Sequence, residues 1–153
     1  DDGTMVFRLK DSPYIPVIST EESATMGTQV ALVSRNVRIA GDVDEVDVRK
    51  GAYLQVLHTP NQQQIVSGVQ FDNMGRRGEA DRFPIHILYS GSLQGTDISQ
   101  NSIRGSHQRC IVLDGTGNVT IASNVAVDNY GNCIDIGPNA TDNTIRRNYV
   151  SNS

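Results

Sequence analysis

The chain has 153 residues, 37% of them hydrophobic, with no Trp and a formal net charge of −4. That is enough for one domain with an aliphatic core. Its interspersed acids and bases exclude a basic nucleic-acid footprint, and no apolar stretch approaches the ~20 residues of a membrane span. Because it starts at Asp1 without Met, it reads as a piece of a longer or processed protein.

Residues 1–29 hold two short apolar runs, Met5 to Phe7 and Tyr14 to Ile18, then a polar loop. Pro13 and Pro16 point to irregular or edge strand, so 1–29 is assigned to the end of a preceding β domain plus a loop. From Val30 the texture changes. Short β-branched runs follow at 30–39, 43–48, 52–57, 65–71, 84–89, 95–103, 110–113, 117–127, 133–136 and 143–150, separated by Gly, Asn, Asp and Ser. Period-two alternation dominates, and no helical periodicity of ten residues or more is found.

Within this stretch one pattern recurs. Ile98, Ile121 and Ile145 lie 23 and 24 residues apart, each followed three positions later by Asn101, Asn124 and Asn148. Cys110 and Cys133 are again 23 apart. A fixed period in this range marks stacked repeats. The fold class is therefore all-β: a single-stranded, right-handed parallel β-helix over 30–153, of about five coils with a ~24-residue period. Coil lengths vary at one corner, Tyr89–Asp97, Asp114–Asn118 and Gly137–Asp142, and a further long corner is expected at Asn73–Arg82. Insertions belong at corners because an insertion within a strand would flip core side chains to solvent.

Asn101, Asn124 and Asn148 then form a ladder, each bonding the backbone of its own coil and the next Asn. Cys110 and Cys133 should be adjacent and buried. At the strand spacing of ~4.8 Å a disulfide is within reach, but stacked side chains point in parallel, which favours two reduced thiols. There is no Cys-x-x-Cys, and His58, His86 and His107 show no ligand spacing, so no metal and no cofactor is expected.

The segments Val30 to Ile39, Phe83 to His86, Gln108 to Gly115 and Asn129 to Cys133 resemble, in order, a known set. They are similar to the β-helix region that follows the eight-glycine domain in cell-surface hyaluronidases, cell-migration-inducing hyaluronan-binding proteins and fibrocystin-like proteins. Asp2, Gly3 and Thr4 resemble the end of that preceding domain. The resemblance implies a right-handed parallel β-helix on an extracellular protein. Departures bear on activity. The hyaluronan-degrading members carry Gly-Gly-His, Pro-Ile-His-Phe-His and Gly-His-Cys. This chain has Tyr53, Leu88 and Asn132 at those histidine positions and keeps His86.

One histidine cannot supply the acid, the base and the charge stabilisation that cleavage of a polyanion needs. His86 is expected to face solvent without a partner. Other outward polar candidates are Tyr53, Gln55, Asp114, Asn132 and Asp135; Asp114 and Asp135 are expected on neighbouring coils, mainly as solvated corner residues. Sequons at Asn118 and Asn139 share one exposed corner and are expected to carry N-linked glycans. The preferred function is a non-catalytic extracellular structural or adhesive module, glycosylated and able to stack end to end with like subunits. The alternative is a depolymerase of a hyaluronan-like polysaccharide, with His86, Asp114 and Asp135 in the outer groove.

Overall fold

The computed structural model describes residues 33–42 and 49–151. The assignment of 1–29 and the run at 43–48 lie outside the described residues.

Eleven strands follow in chain order: β1 (Val37–Ala40), β2 (Leu54–Leu57), β3 (Ile65–Ser67), β4 (Val69–Asp72), β5 (Ile85–Ser99), β6 (Ser102–Arg104), β7 (Ile111–Ala122), β8 (Val125–Val127), β9 (Ile134–Ile136), β10 (Thr144–Arg146) and β11 (Tyr149–Ser151). They form two sheets. One has the order β1-β4-β6-β8-β11. The other runs β10-β7-β5-β2, with β3 also on β5 and β9 also on β7. All of these strand pairs are parallel. Each strand therefore lies on the strand one repeat earlier, as stacking requires.

The register puts like on like. Ile98 pairs with Ile121 and Ile121 with Ile145. Ile85 pairs with Ile111 and Ile111 with Ile134, while Phe71 pairs with Ile103 and Ile103 with Ala126. Phe71, Ile85, Ile87, Ile98, Ile103, Ile111, Leu113 and Ile121 are at most 1% exposed. The core is aliphatic, as the composition requires, and each such side chain contributes roughly 1.5–3 kcal/mol by leaving water. Ile145, on the third member of its file, is 47% exposed.

Three expectations are corrected. The ~24-residue period holds only in the later part of the chain. Stacked positions lie 23 or 24 apart there, as in Asn101–Asn124 and Asn124–Asn148, but 32 apart earlier, as in Gln64–Thr96 and Val69–Asn101. The early repeats carry long corners, including the one expected at Asn73–Arg82. Secondly, the corners placed at Tyr89–Asp97 and Asp114–Asn118 do not interrupt the strands. β5 and β7 run through them, with register shifts between Leu88 and Gly91 and between Ser92 and Thr96. Consecutive coils bend together there, so the ladder survives the turn. Left-handed residues make the bends: Tyr89, Gly91 and Gly95 in one coil, Gly115 and Asn118 in the next.

The third correction concerns the cysteines, which form a disulfide, Cys110–Cys133, with Cα atoms 4.5 Å apart. Both are buried. The two residues share a backbone carbonyl contact as well, since the amides of Cys110 and Ile111 both donate to the Cys133 carbonyl, at 2.9 and 2.8 Å. Residues drawn this close at the start of β7 and β9 can turn their side chains toward each other, which parallel stacking in mid-strand would not allow.

The Asn ladder forms. Nδ2 of Asn101 donates to Oδ1 of Asn124, and Nδ2 of Asn124 to Oδ1 of Asn148, each at 3.0 Å. The backbone bonds go to the neighbouring coil, not to the residue's own. Asn124 accepts from the Asn101 amide at 3.0 Å and donates to the Ile98 carbonyl at 2.9 Å. A corner breaks the strand ladder, so a buried side chain must satisfy the backbone groups it strands. Other corners use the same device, with Ser90, Thr96, Thr116, Asn129 and Asn143 each accepting a backbone N–H from the preceding coil. Unequal residue types at those corners concealed the pattern from sequence inspection.

Candidate functional site

The second sheet has an outer face whose side chains alternate with the core file. Across it, Gln55, His86, Val112 and Asp135 lie in one row. Leu57, Leu88, Asp114 and Gly137 belong to the next, with Leu88 paired to Asp114. Tyr53 precedes Gln55 by two positions and takes the same face by alternation.

This face is not bare. The chain between β4 and β5 folds back over it. Arg76 accepts from Glu79 and donates its amide to the Arg82 carbonyl, closing a turn. Nε2 of Gln108 then donates to the carbonyls of Arg76 and Glu79, at 2.7 and 2.6 Å, and ties that turn to the start of the following coil. On the far side Gln55 Nε2 donates to the Asp81 carbonyl at 3.3 Å. These anchors deliver Asp81, Arg82 and Phe83 to the surface around His86.

His86 is therefore 0% exposed, where the sequence placed it in solvent. It also has a partner: its Nε2–H donates to Asp114 Oδ2 at 2.9 Å. Phe83 covers the ring edge-on, with centroids 5.0 Å apart and planes at 76°. Nδ1 of His86 is buried with no hydrogen-bond partner in the protein. Asp114 lies diagonally from His86, one repeat on and two residues along. It fits because residue 137 is glycine: a Cβ there would stand 1.7 Å from Asp114 Oδ1.

Asp81, on its left-handed turn, completes a cluster. One ligating atom each from Asp81, His86 and Asp114 lie within 4.8 Å of one another. Asp135 is not part of it. It sits beside Val112 and pairs with Arg109 at 2.9 Å, so the expected Asp114/Asp135 pair is replaced by Asp114/His86 and Asp135/Arg109.

Around the cluster lies a rim of arginine on aromatic rings. Arg82 and Arg76 stand 4.6 and 5.6 Å from the Tyr53 centroid, and Arg109 lies 5.8 Å from that of Phe83. Asn132, just before Cys133, is exposed. Asn118 and Asn139 are both exposed at the corner expected of them. Asp81, Arg76, Arg82 and Gly137 were missed by sequence reasoning. The one signal for them was the length and charge of the Asn73–Arg82 corner. Among the described residues no helix is long and apolar enough to cross a membrane.

Comparison with known proteins agrees with this architecture. Residues 49–152 match the family described as CEMIP beta-helix. Communication mutant protein F of Dictyostelium discoideum is 35% identical over 107 residues, 69% of this chain and 9% of that protein. A G8 domain-containing protein of the same organism is 32% identical over 128 residues, 80% of this chain and 9% of its own length. Protein rliB, also from Dictyostelium discoideum, is 30% identical over 124 residues, 80% and 11% respectively. The chain thus spans about a tenth of the curated relatives it matches. No solved structure matches.

Proposed function

The chain belongs to the CEMIP β-helix family, and from that premise we propose that it is a non-catalytic extracellular β-helix module that holds an acidic polysaccharide on its outer face. The coil is read as one right-handed stack, following the general rule for parallel crossovers. The observation that carries the reading is the burial of His86. A general acid or base must reach the substrate oxygen within hydrogen-bonding distance. His86 is sealed under Phe83, and its Nε2–H is taken by Asp114. Asp135, the carboxyl in the same row, is held as a carboxylate pair with Arg109 at 2.9 Å.

Binding is supported by the rim. The exposed Tyr53 with Arg82 beside it suits a sugar ring that carries a carboxylate, since an aromatic ring stacks on a sugar and a guanidinium pairs with its carboxylate. Phe83 is buried, and Arg76 and Arg109 pair with Glu79 and Asp135. An oxidising compartment is supported by the disulfide Cys110–Cys133. A second reading, depolymerisation, draws on one observation: Asp81, His86 and Asp114 converge in the same face.

One assay separates the two. Hyaluronan and other acidic glycans, incubated with the protein and divalent cations, should keep their chain length while being retained by it. Loss of length that disappears in a His86→Ala variant would overturn the non-catalytic reading.

A further inference from the structure

From the Asp81, His86 and Asp114 cluster we infer a divalent-cation site of zinc type, formed by Nε2 of His86 and one carboxylate oxygen from each aspartate. The site stands apart from glycan binding. It would hold whether or not the outer face takes a polysaccharide.

Three observations lead there. First, two carboxylates from separate parts of the chain converge on one imidazole, with all three ligating atoms within 4.8 Å. Among the described residues neither carboxylate pairs with a lysine or arginine; the nearby arginines are placed over Tyr53 or, for Arg109, against Asp135. A cation between two carboxylates this close would relieve their mutual repulsion.

Second, His86 is 0% exposed and held edge-on by Phe83, so its ring is fixed with Nε2 toward the carboxylate of Asp114. An ion there would take the place of the proton that Nε2 gives to Asp114, and a ligand already oriented loses little freedom on binding.

Third, the spacing fits. Ligand atoms about 2.1 Å from one ion, at angles between tetrahedral and octahedral, lie roughly 2.9–3.4 Å apart. The His86–Asp114 separation is 2.9 Å. Asp81 is exposed at the tip of its turn, so a side-chain rotation brings its carboxylate in without moving the strands.

The donor set argues for the class of ion. One imidazole with two carboxylates suits a borderline ion such as Zn²⁺. Ca²⁺ and Mg²⁺ prefer all-oxygen sets. In this arrangement the ion cross-links the turn that carries Asp81 to strands β5 and β7.

The test uses the full chain, secreted through an oxidising pathway so that the disulfide forms, and stripped with a chelator. Titration calorimetry with Zn²⁺ should show one saturable equivalent, and saturating Zn²⁺ should raise the melting temperature by on the order of 5 °C. Asp81→Asn is the informative variant. Asp81 is exposed, so the variant keeps the apo melting temperature, and it should lose at least tenfold in Zn²⁺ affinity together with most of the thermal shift. His86→Gln should abolish binding but also weakens a buried contact, so its apo stability is measured alongside. Absence of saturable Zn²⁺ binding, unchanged affinity in Asp81→Asn, or tighter binding of Ca²⁺ than of Zn²⁺ would each overturn the assignment.

Discussion

Asp114 has room for its carboxylate only because its neighbour on the next coil lacks a side chain. A Cβ at residue 137 would fall 1.7 Å from Asp114 Oδ1 and 3.2 Å from the Leu113 carbonyl. The side chain of Asp114 can rotate away, but the backbone carbonyl cannot. Gly137→Ala should therefore expel the carboxylate from His86 and leave the buried imidazole without its one hydrogen bond. The expected loss is about 1–3 kcal/mol, the cost of orphaning a buried polar group. Urea denaturation checks the magnitude, and the histidine ring resonances of His86 should shift in the folded variant. Gly131→Ala is the control: its Cβ meets nothing within 4 Å, so only the strain of its φ of +87° remains, worth about 1 kcal/mol. Equal losses in the two variants would show that the Asp114–His86 contact contributes nothing to stability.

At the scale of the element, the bond between the start of β7 and the start of β9 closes a loop with a sequence separation of 23. A cross-link of that length contributes about 3 kcal/mol by restricting the unfolded chain. Replacing both residues, Cys110→Ala with Cys133→Ala, should lower the melting temperature by roughly 10 °C while leaving the strand content unchanged, because the backbone ladder at the same place does not depend on sulfur. Circular dichroism during thermal unfolding measures both; an unchanged melting temperature would show that the link adds nothing beyond that ladder. The pairing itself was half legible in the sequence. The 23-residue offset fixed adjacency, and the argument from parallel side chains then chose the wrong redox state, because both cysteines sit at strand entries where the chain still turns. The same contrast runs through the rest of the fold. Ile98, Ile121 and the Asn ladder were legible because stacking places the same residue type at the same point of successive coils. The longer early repeats were not, because their corners vary in length and residue. The site was least legible of all. His86 and Asp114 were singled out separately, but their contact spans 28 residues of sequence, and Asp81 reaches them only through a turn fixed by Gln108 and Gln55. No local spacing encodes a meeting of that kind.

At the scale of the whole molecule, the two sequons decide which side of the stack is covered. Asn118 and Asn139 are exposed, each at a left-handed turn, with φ of 59°. The amide of Asn118 donates to the Thr141 carbonyl at 3.1 Å, so both sequons belong to the corner shared by consecutive coils. Asn118 Nδ2 donates to Ser92 Oγ at 2.7 Å. Glycosylation replaces one of the two Nδ2 hydrogens, so that bond survives the modification. The Arg–aromatic rim around Tyr53 and Phe83 belongs to the opening segment of this sheet, at β2 and the entry to β5, whereas the sequons flank the far half of β7. Glycans on the corner would cover the edge and leave the rim open to a polysaccharide. The expected outcome is occupancy of both asparagines in protein secreted from a eukaryotic host, read by peptide mass spectrometry, with glycan retention unchanged in an Asn118→Gln, Asn139→Gln double variant. Two unmodified sites would argue against an extracellular protein. Loss of retention in the double variant would place the polysaccharide on the corner, not on the face that carries His86.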